Sequence, residues 1–251
     1  MDRLLRYEFR KILTSKILWV LFGIALLAPS ISLVATHVGN VVHPEYADPI
    51  FADVALSSYG FNELTFYLAI FLPFFIGEDY RNGVIKNIVG RGYSKSQVYW
   101  AKWIVGTITS LIFITVGSMF VYVLAGALEG HWEIDKEFGT YFGWAFLGCI
   151  CIIAFDLWMS FSFNLAVWAV LLCLLIPSLA PFILLFLIDL PIQAFAEEPL
   201  TVAATQFSWV LFGENALKNE NGWWINLVTI FATLPTMPLL GWLTVRKRDI
   251  K

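Results

Sequence analysis

Residues 138–188, FGTYFGWAFLGCICIIAFDLWMSFSFNLAVWAVLLCLLIPSLAPFILLFLI, run for 51 positions with a single charged side chain, Asp156. As one helix the run would reach roughly 76 Å at 1.5 Å per residue. That is more than twice a bilayer core of about 30 Å. The run must therefore fold back on itself, and its best polar break is SFSFN, Ser160 to Asn164. Divided there, it supplies two spans, 138–161 and 164–188. Four further apolar stretches, 17–38, 61–77, 98–128 and 223–245, bring the expected number to six.

Composition agrees with a membrane setting. The chain has 251 residues, 59% hydrophobic, 17% aromatic and 14% charged, with a mean hydropathy of +0.74. A water-soluble domain carries about 25% charged residues, and no core of this size could hide so much apolar surface. The fold class expected is all-α and polytopic, one membrane domain over 1–251. No soluble domain longer than about 35 residues fits between the runs. Cys149, Cys151 and Cys173 all lie inside apolar runs, match no zinc spacing, and read as small hydrophobes in helices. The first apolar run ends without a small-residue cleavage site and reads as a retained span.

Orientation follows from Lys and Arg. Fourteen of the sixteen basic residues fall in the N-terminal segment, in the stretch from Arg81 to Lys102, and in the C-terminal tail. Six spans place all three on one face, which the positive-inside rule makes cytoplasmic, with both termini inside. Five spans would strand the tail RKRDIK outside. Trp19, Trp100, Trp103, Trp223, Trp224 and Trp242 lie near expected span ends, as interfacial anchors do. The long outer segment 189–222 mixes polar residues with apolar pieces at 192–196 and 207–212, which suits short helices dipping into the interface.

Two cytoplasmic elements carry pattern. RLLRYEFRKILTSK, 3–16, reads as an amphipathic helix with Leu5, Phe9, Ile12 and Leu13 on one face, bending near Thr14–Lys16 into the first span. GEDYRNGVIKNIVGRGYSKSQ, 77–97, packs six charged groups into 21 residues. Here Glu78 and Asp79 are expected to open a short helix, where carboxylates favour the dipole's positive end. Val84, Ile85, Ile88 and Val89 form its apolar stripe, and Gly90 or Gly92 ends it in a left-handed cap. Ser94 and Gln97 have capping-box spacing and start the next helix. A transverse helix joined by a glycine bend to a second helix is a rigid element, suited to docking a protein through Arg81, Asn82, Lys86 and Asn87.

The arrangement EFRKILTSK, an external segment, E-DYRNGVIKNIV-RG-S-SQVYWAK, four more spans and a short basic tail resembles the permease subunits of bacterial ABC exporters. The resemblance is to the six-span class that includes lantibiotic-immunity, antibiotic-resistance and phenol-soluble-modulin exporters. It covers nearly the whole chain in topology and is concentrated over 78–102 in sequence. It implies that the N-terminal helix is an elbow helix and that the loop 77–97 is a coupling helix seated in a groove of an ATP-hydrolysing subunit. Glu78, Asp79, Tyr80, Arg81, Asn82, Gly83, Lys86 and Asn87 become the expected coupling contacts. It further implies two ATPase copies, a second permease copy or paralogue, surrounding lipid and no nucleic acid as partners, in a bacterial cell membrane. ATP and its magnesium ion would belong to the partner subunit, and the cargo would be a hydrophobic or amphipathic peptide, antimicrobial or cytolytic. The family's second cytoplasmic connection shrinks here to Ser160–Asn164, too short for a second coupling contact.

The chain contains no G-x-x-x-x-G-K-[ST] phosphate cradle, so ATP-driven work requires another polypeptide. It also has no nucleophile elbow, H-E-x-x-H or C-x-x-C. His37, His43 and His131 fall at or beyond the outer face, and His43, Glu45 and Asp48 read as a solvated loop. Asp156 is the acid well inside a run, where a charge costs about 2.5–3.5 kcal/mol, and is a candidate for gating or a dimer contact. Two other readings use it: an intramembrane enzyme pairing Asp156 with Glu63, and an ion-coupled secondary transporter. Topology puts the two acids toward opposite faces, and the chain lacks the paired halves common in secondary transporters. Pro177, Pro181, Pro235 and Pro238 are expected to kink the last two spans.

Overall fold

A computed structural model describes residues 1–42, 61–129, 136–163, 165–190, 212 and 222–247. Every described element is helical: α1 Asp2–Leu13, α2 Lys16–Val42, α3 Asn62–Arg81, α4 Val84–Gly90, α5 Lys95–Glu129, α6 Lys136–Ser162, α7 Ala166–Leu184 and α8 Gly222–Lys247. A π-helical turn, Leu185–Asp189, continues α7. Four helices among the described residues are long and apolar enough to cross a membrane: α2, α5, α6 and α8. The chain does break where the 51-residue run had to fold: α6 ends at Ser162 and α7 begins at Ala166.

The centre of the bundle is α3, which packs on α2, α5, α6 and α7. Leu64, Leu68, Phe71, Leu72, Phe75 and Ile76 bury its sides among Val105, Phe113, Ile153 and Leu157. Its charges lie near its two ends, Glu63 at one and Glu78, Asp79 and Arg81 at the other. At the other extreme, α2 is strongly apolar yet leaves Val20, Leu27, Ile31, Val34 and Val38 exposed. A soluble protein rarely shows so continuous an apolar face, whereas a lipid-facing helix requires one.

The described parts of the three basic segments meet at one end of the bundle, the last of them through Arg246 and Lys247 at the end of α8. There α1 packs on α5, and α4 lies against α3 and α5. The last helix is pinned to the same place: Trp242 Nε1 donates to Ser96 Oγ at 3.0 Å and Tyr99 OH donates to the Pro238 carbonyl at 2.7 Å. Gly241 makes room for this contact, since a Cβ there would sit 2.6 Å from the Tyr99 hydroxyl. Pro235 and Pro238 both lie inside α8.

The expected bend between the N-terminal helix and the first apolar helix falls at Thr14 and Ser15. Trp19 Nε1 donates to the Leu13 carbonyl at 2.8 Å, satisfying one of the acceptors a helix end leaves open. The α1 face differs by a few positions from the sequence expectation. Leu4, Glu8 and Ile12 are its buried residues, Leu5 and Phe9 flank them, and Leu13 is exposed. In the segment 189–222, pieces 192–196 and 207–211 lie outside the described residues. Phe212 is buried against Cys151 and Ile230, and its carbonyl accepts from Asn226 Nδ2 at 2.9 Å. His43, Glu45, Asp48 and His131 are also outside the described residues.

Candidate functional site

The corner between α3 and α5 holds most of the residues singled out from the sequence. It begins with a correction. Glu78 and Asp79 do not open a helix; they occupy the last turn of α3, which runs on to Arg81. Carboxylates are disfavoured at a helix C-terminus, so another interaction must offset the dipole. For Asp79 that interaction is a buried ion cluster.

Asp79 Oδ2 accepts a hydrogen bond from Lys102 Nζ, and Asp79 Oδ1 accepts another from Lys11 Nζ. Lys102 Nζ also donates to Glu8 Oε2 at 2.9 Å. The side chains of Glu8 and Lys102 are 0% exposed and that of Asp79 is 1%, while Lys11 keeps 24% of its surface. Both ammonium groups lie over the Phe75 ring, Lys11 at 4.7 Å and Lys102 at 5.2 Å from its centre. Two positive and two negative charges thus sum to zero in a site open to solvent through Lys11, joining α1, the end of α3 and the start of α5. Buried charges are tolerated only when paired and hydrogen-bonded in this way. Glu8 Oε1 has no hydrogen-bond partner among the described residues.

Beyond Arg81 the backbone breaks sharply. The Asn82 amide donates to the Glu78 carbonyl at 2.9 Å, and Gly83 adopts φ +66, a left-handed conformation that costs other L-residues about 1–2 kcal/mol. The new helix α4 then starts at Val84, its first backbone bond running from Asn87 N–H to the Gly83 carbonyl at 3.0 Å. Ile85 and Ile88 turn inward onto Leu4, Val98 and Ala101. The second break uses Gly92 at φ +94. Ser94 N–H then donates to Gln97 Oε1 at 2.9 Å while Gln97 N–H donates to Ser94 Oγ at 3.2 Å. This is the reciprocal capping box expected from the spacing, and it opens α5.

Among the eight expected coupling residues, Glu78, Arg81, Asn82, Lys86 and Asn87 are exposed on this corner. Gly83 is the turn itself and Tyr80 is half-buried against the α1–α4–α5 cluster. Asp79 differs from these, since its carboxylate faces inward onto Lys11 and Lys102 and is 1% exposed. Asp156 lies elsewhere, in α6. Its side chain is 0% exposed, so it offers no surface to a second copy, and neither carboxylate oxygen has a hydrogen-bond partner among the described residues. The Cys173 thiol from α7 contacts its backbone carbonyl at 3.8 Å. No group of three or more potential metal ligands occurs among the described residues.

Sequence reading missed Glu8, Lys11 and Lys102 as site residues. Glu8 carried a signal: it sits midway between Leu4 and Ile12, four residues from each, in the middle of the face that α1 buries. An acid there must find a cation. Lys102 carried none, since it reads as one more basic residue at a span end.

A family model described as ABC-2 family transporter protein matches residues 4–188. The matched stretch contains Glu8, Lys11, Asp79 and Lys102 and the whole α3–α4–α5 corner. No curated protein matches the chain.

Proposed function

Since the chain belongs to the ABC-2 family of transporter proteins, we propose that it is the permease of an ATP-driven exporter whose ATPase docks on the α3–α4 corner. Family membership implies a transmembrane subunit of an ABC transporter that associates with an ABC ATPase subunit. The finer reading places six spans in a bacterial cell membrane with both termini inside. Here α3 and α7 serve as the remaining two spans, α1 is the elbow helix and α4 the coupling helix. Two permease copies act with two ATPase subunits, and the cargo is a hydrophobic or amphipathic peptide.

One observation carries this reading. Arg81, Asn82, Lys86 and Asn87 are exposed on a corner whose inner side is held by the Glu8–Lys102–Asp79–Lys11 cluster. A docking surface that must transmit displacement needs both properties: contacts outside and stiffness behind. Closure of the ATPase pair on ATP pushes α4. The ion cluster and the Leu4–Ile85–Ile88 contacts carry the displacement into α1 and α5, and the Trp242–Ser96 and Tyr99–Pro238 bonds carry it into α8. The spans then tilt and open a path outward.

Arg81→Glu inverts the central exposed charge of the corner without touching the cluster. An affinity-tagged variant is expected to insert normally into the membrane and to lose co-purification of the ABC ATPase subunit. Undiminished co-purification would remove the docking assignment. The reading that uses Asp156 for ion coupling or catalysis predicts activity without any ATPase. Stimulation of ATP hydrolysis by cargo in reconstituted vesicles separates the two.

A further inference from the structure

Away from the corner, α3, α6 and α7 line an open groove of about 520 Å³, within the range of about 300–1,000 Å³ that suits small-molecule sites. Its walls are mainly apolar, with Phe66 and Tyr67 from α3, Ile152 from α6, and Leu174 and Pro177 from α7. Glu63, in the first turn of α3, lines the same space. Glu63 as a whole is half-buried, but its Oε2 is enclosed and has no hydrogen-bond partner among the described residues. A buried carboxylate oxygen without a donor is costly unless something supplies one. Phe66 and Tyr67, edge to face with ring centres 5.6 Å apart, add two aromatic faces of the kind that attract cations.

We propose that this groove binds an amphipathic cation, with a primary ammonium on Glu63 and an apolar body along Phe66, Tyr67, Leu174 and Pro177. A hydrocarbon chain alone would leave the Glu63 oxygen without a donor. A second copy of this chain offers the site few ammonium groups, since Lys136 and Lys218 alone among its sixteen basic residues lie outside the three segments read as cytoplasmic. As a cargo-entry site the groove rests on the exporter reading. Its binding chemistry stands apart from that reading, since it needs neither the ATPase nor α4.

The test uses the full chain in phosphatidylcholine nanodiscs, whose headgroups carry no N–H donor, with dodecylammonium as probe and dodecanol as its neutral counterpart. The ammonium is expected to bind at least about tenfold more tightly than the alcohol, and Glu63→Gln to lose about that factor, as a charge-assisted bond requires. Ser178→Trp, which fills the groove from its exposed wall, is expected to weaken the ammonium while leaving the protein folded. Three results would overturn the site: equal binding of ammonium and alcohol, unaltered ammonium binding by Glu63→Gln, or no binding of either probe. Displacement of the ammonium by added phosphatidylethanolamine would keep the ammonium site but make a lipid headgroup its occupant, overturning its reading as a cargo-entry site. Any of these leaves the Arg81→Glu result untouched, so the failure of the groove and the failure of the exporter reading remain distinguishable.

Discussion

Lys102 shows how one side chain holds a corner together. It is fully enclosed, donates to Glu8 and Asp79, and faces the Phe75 ring, so three helices meet on a single ammonium group. Removing one partner from a buried ion pair costs about 3–5 kcal/mol, because the charges left behind stay dry and uncompensated. Lys102→Met is therefore expected to lower the thermal midpoint of the detergent-solubilised protein sharply. The triple variant Glu8→Gln, Asp79→Asn, Lys102→Met should recover most of that loss, since Lys11 is partly solvated and survives without a partner. A midpoint for Lys102→Met equal to that of the unaltered protein would show that the cluster is not holding the corner. At this scale the sequence was only half legible. The exposed Arg81, Asn82, Lys86 and Asn87 stand out as polar residues beside an apolar stripe. The inward turn of Asp79 does not, because its partners lie 23 and 68 residues away along the chain.

The short helix α4 depends on its two glycine corners. The capping box at Ser94 and Gln97 was legible because both partners lie within one turn and the interaction is wholly local. The start of α4 was misread for the opposite reason. Local dipole logic puts Glu78 and Asp79 at a helix N-terminus, and a long-range ion cluster overrules it. The boundary is set instead by Gly83, whose left-handed backbone has open space around it, so a substitution there meets strain alone. Gly83→Ala is expected to cost about 1–2 kcal/mol. It should speed hydrogen exchange of the Asn87 amide, which bonds to the Gly83 carbonyl, by about five- to thirtyfold. Gly83→Asn should fall between, as asparagine tolerates this conformation. Unchanged exchange in Gly83→Ala would mean that α4 does not rely on this turn.

At the scale of the whole molecule, hydropathy sees some spans better than others. The lipid-facing helix α2 and the long α5 declare themselves by composition. At 35 residues α5 reaches roughly 52 Å, well beyond a hydrocarbon core of about 30 Å, so its Lys95–Lys102 end can lie with α1 and α4 outside the core. The central helix α3 is the weakest signal, because Glu63 near one end and Glu78, Asp79 and Arg81 at the other leave too short an uncharged stretch between them. The fold-back between α6 and α7 was forced by length, and the polar stretch Ser160–Asn164 marked its place.

The central claim is that the α3–α4 corner faces the cytoplasm, where an ATPase can push on it. A membrane-impermeant maleimide applied to an Asn82→Cys variant tests it directly, since Cys149, Cys151 and Cys173 are buried and should stay silent. The account predicts no labelling in intact cells and strong labelling in inside-out vesicles. Labelling of Cys at this position from outside intact cells would contradict it.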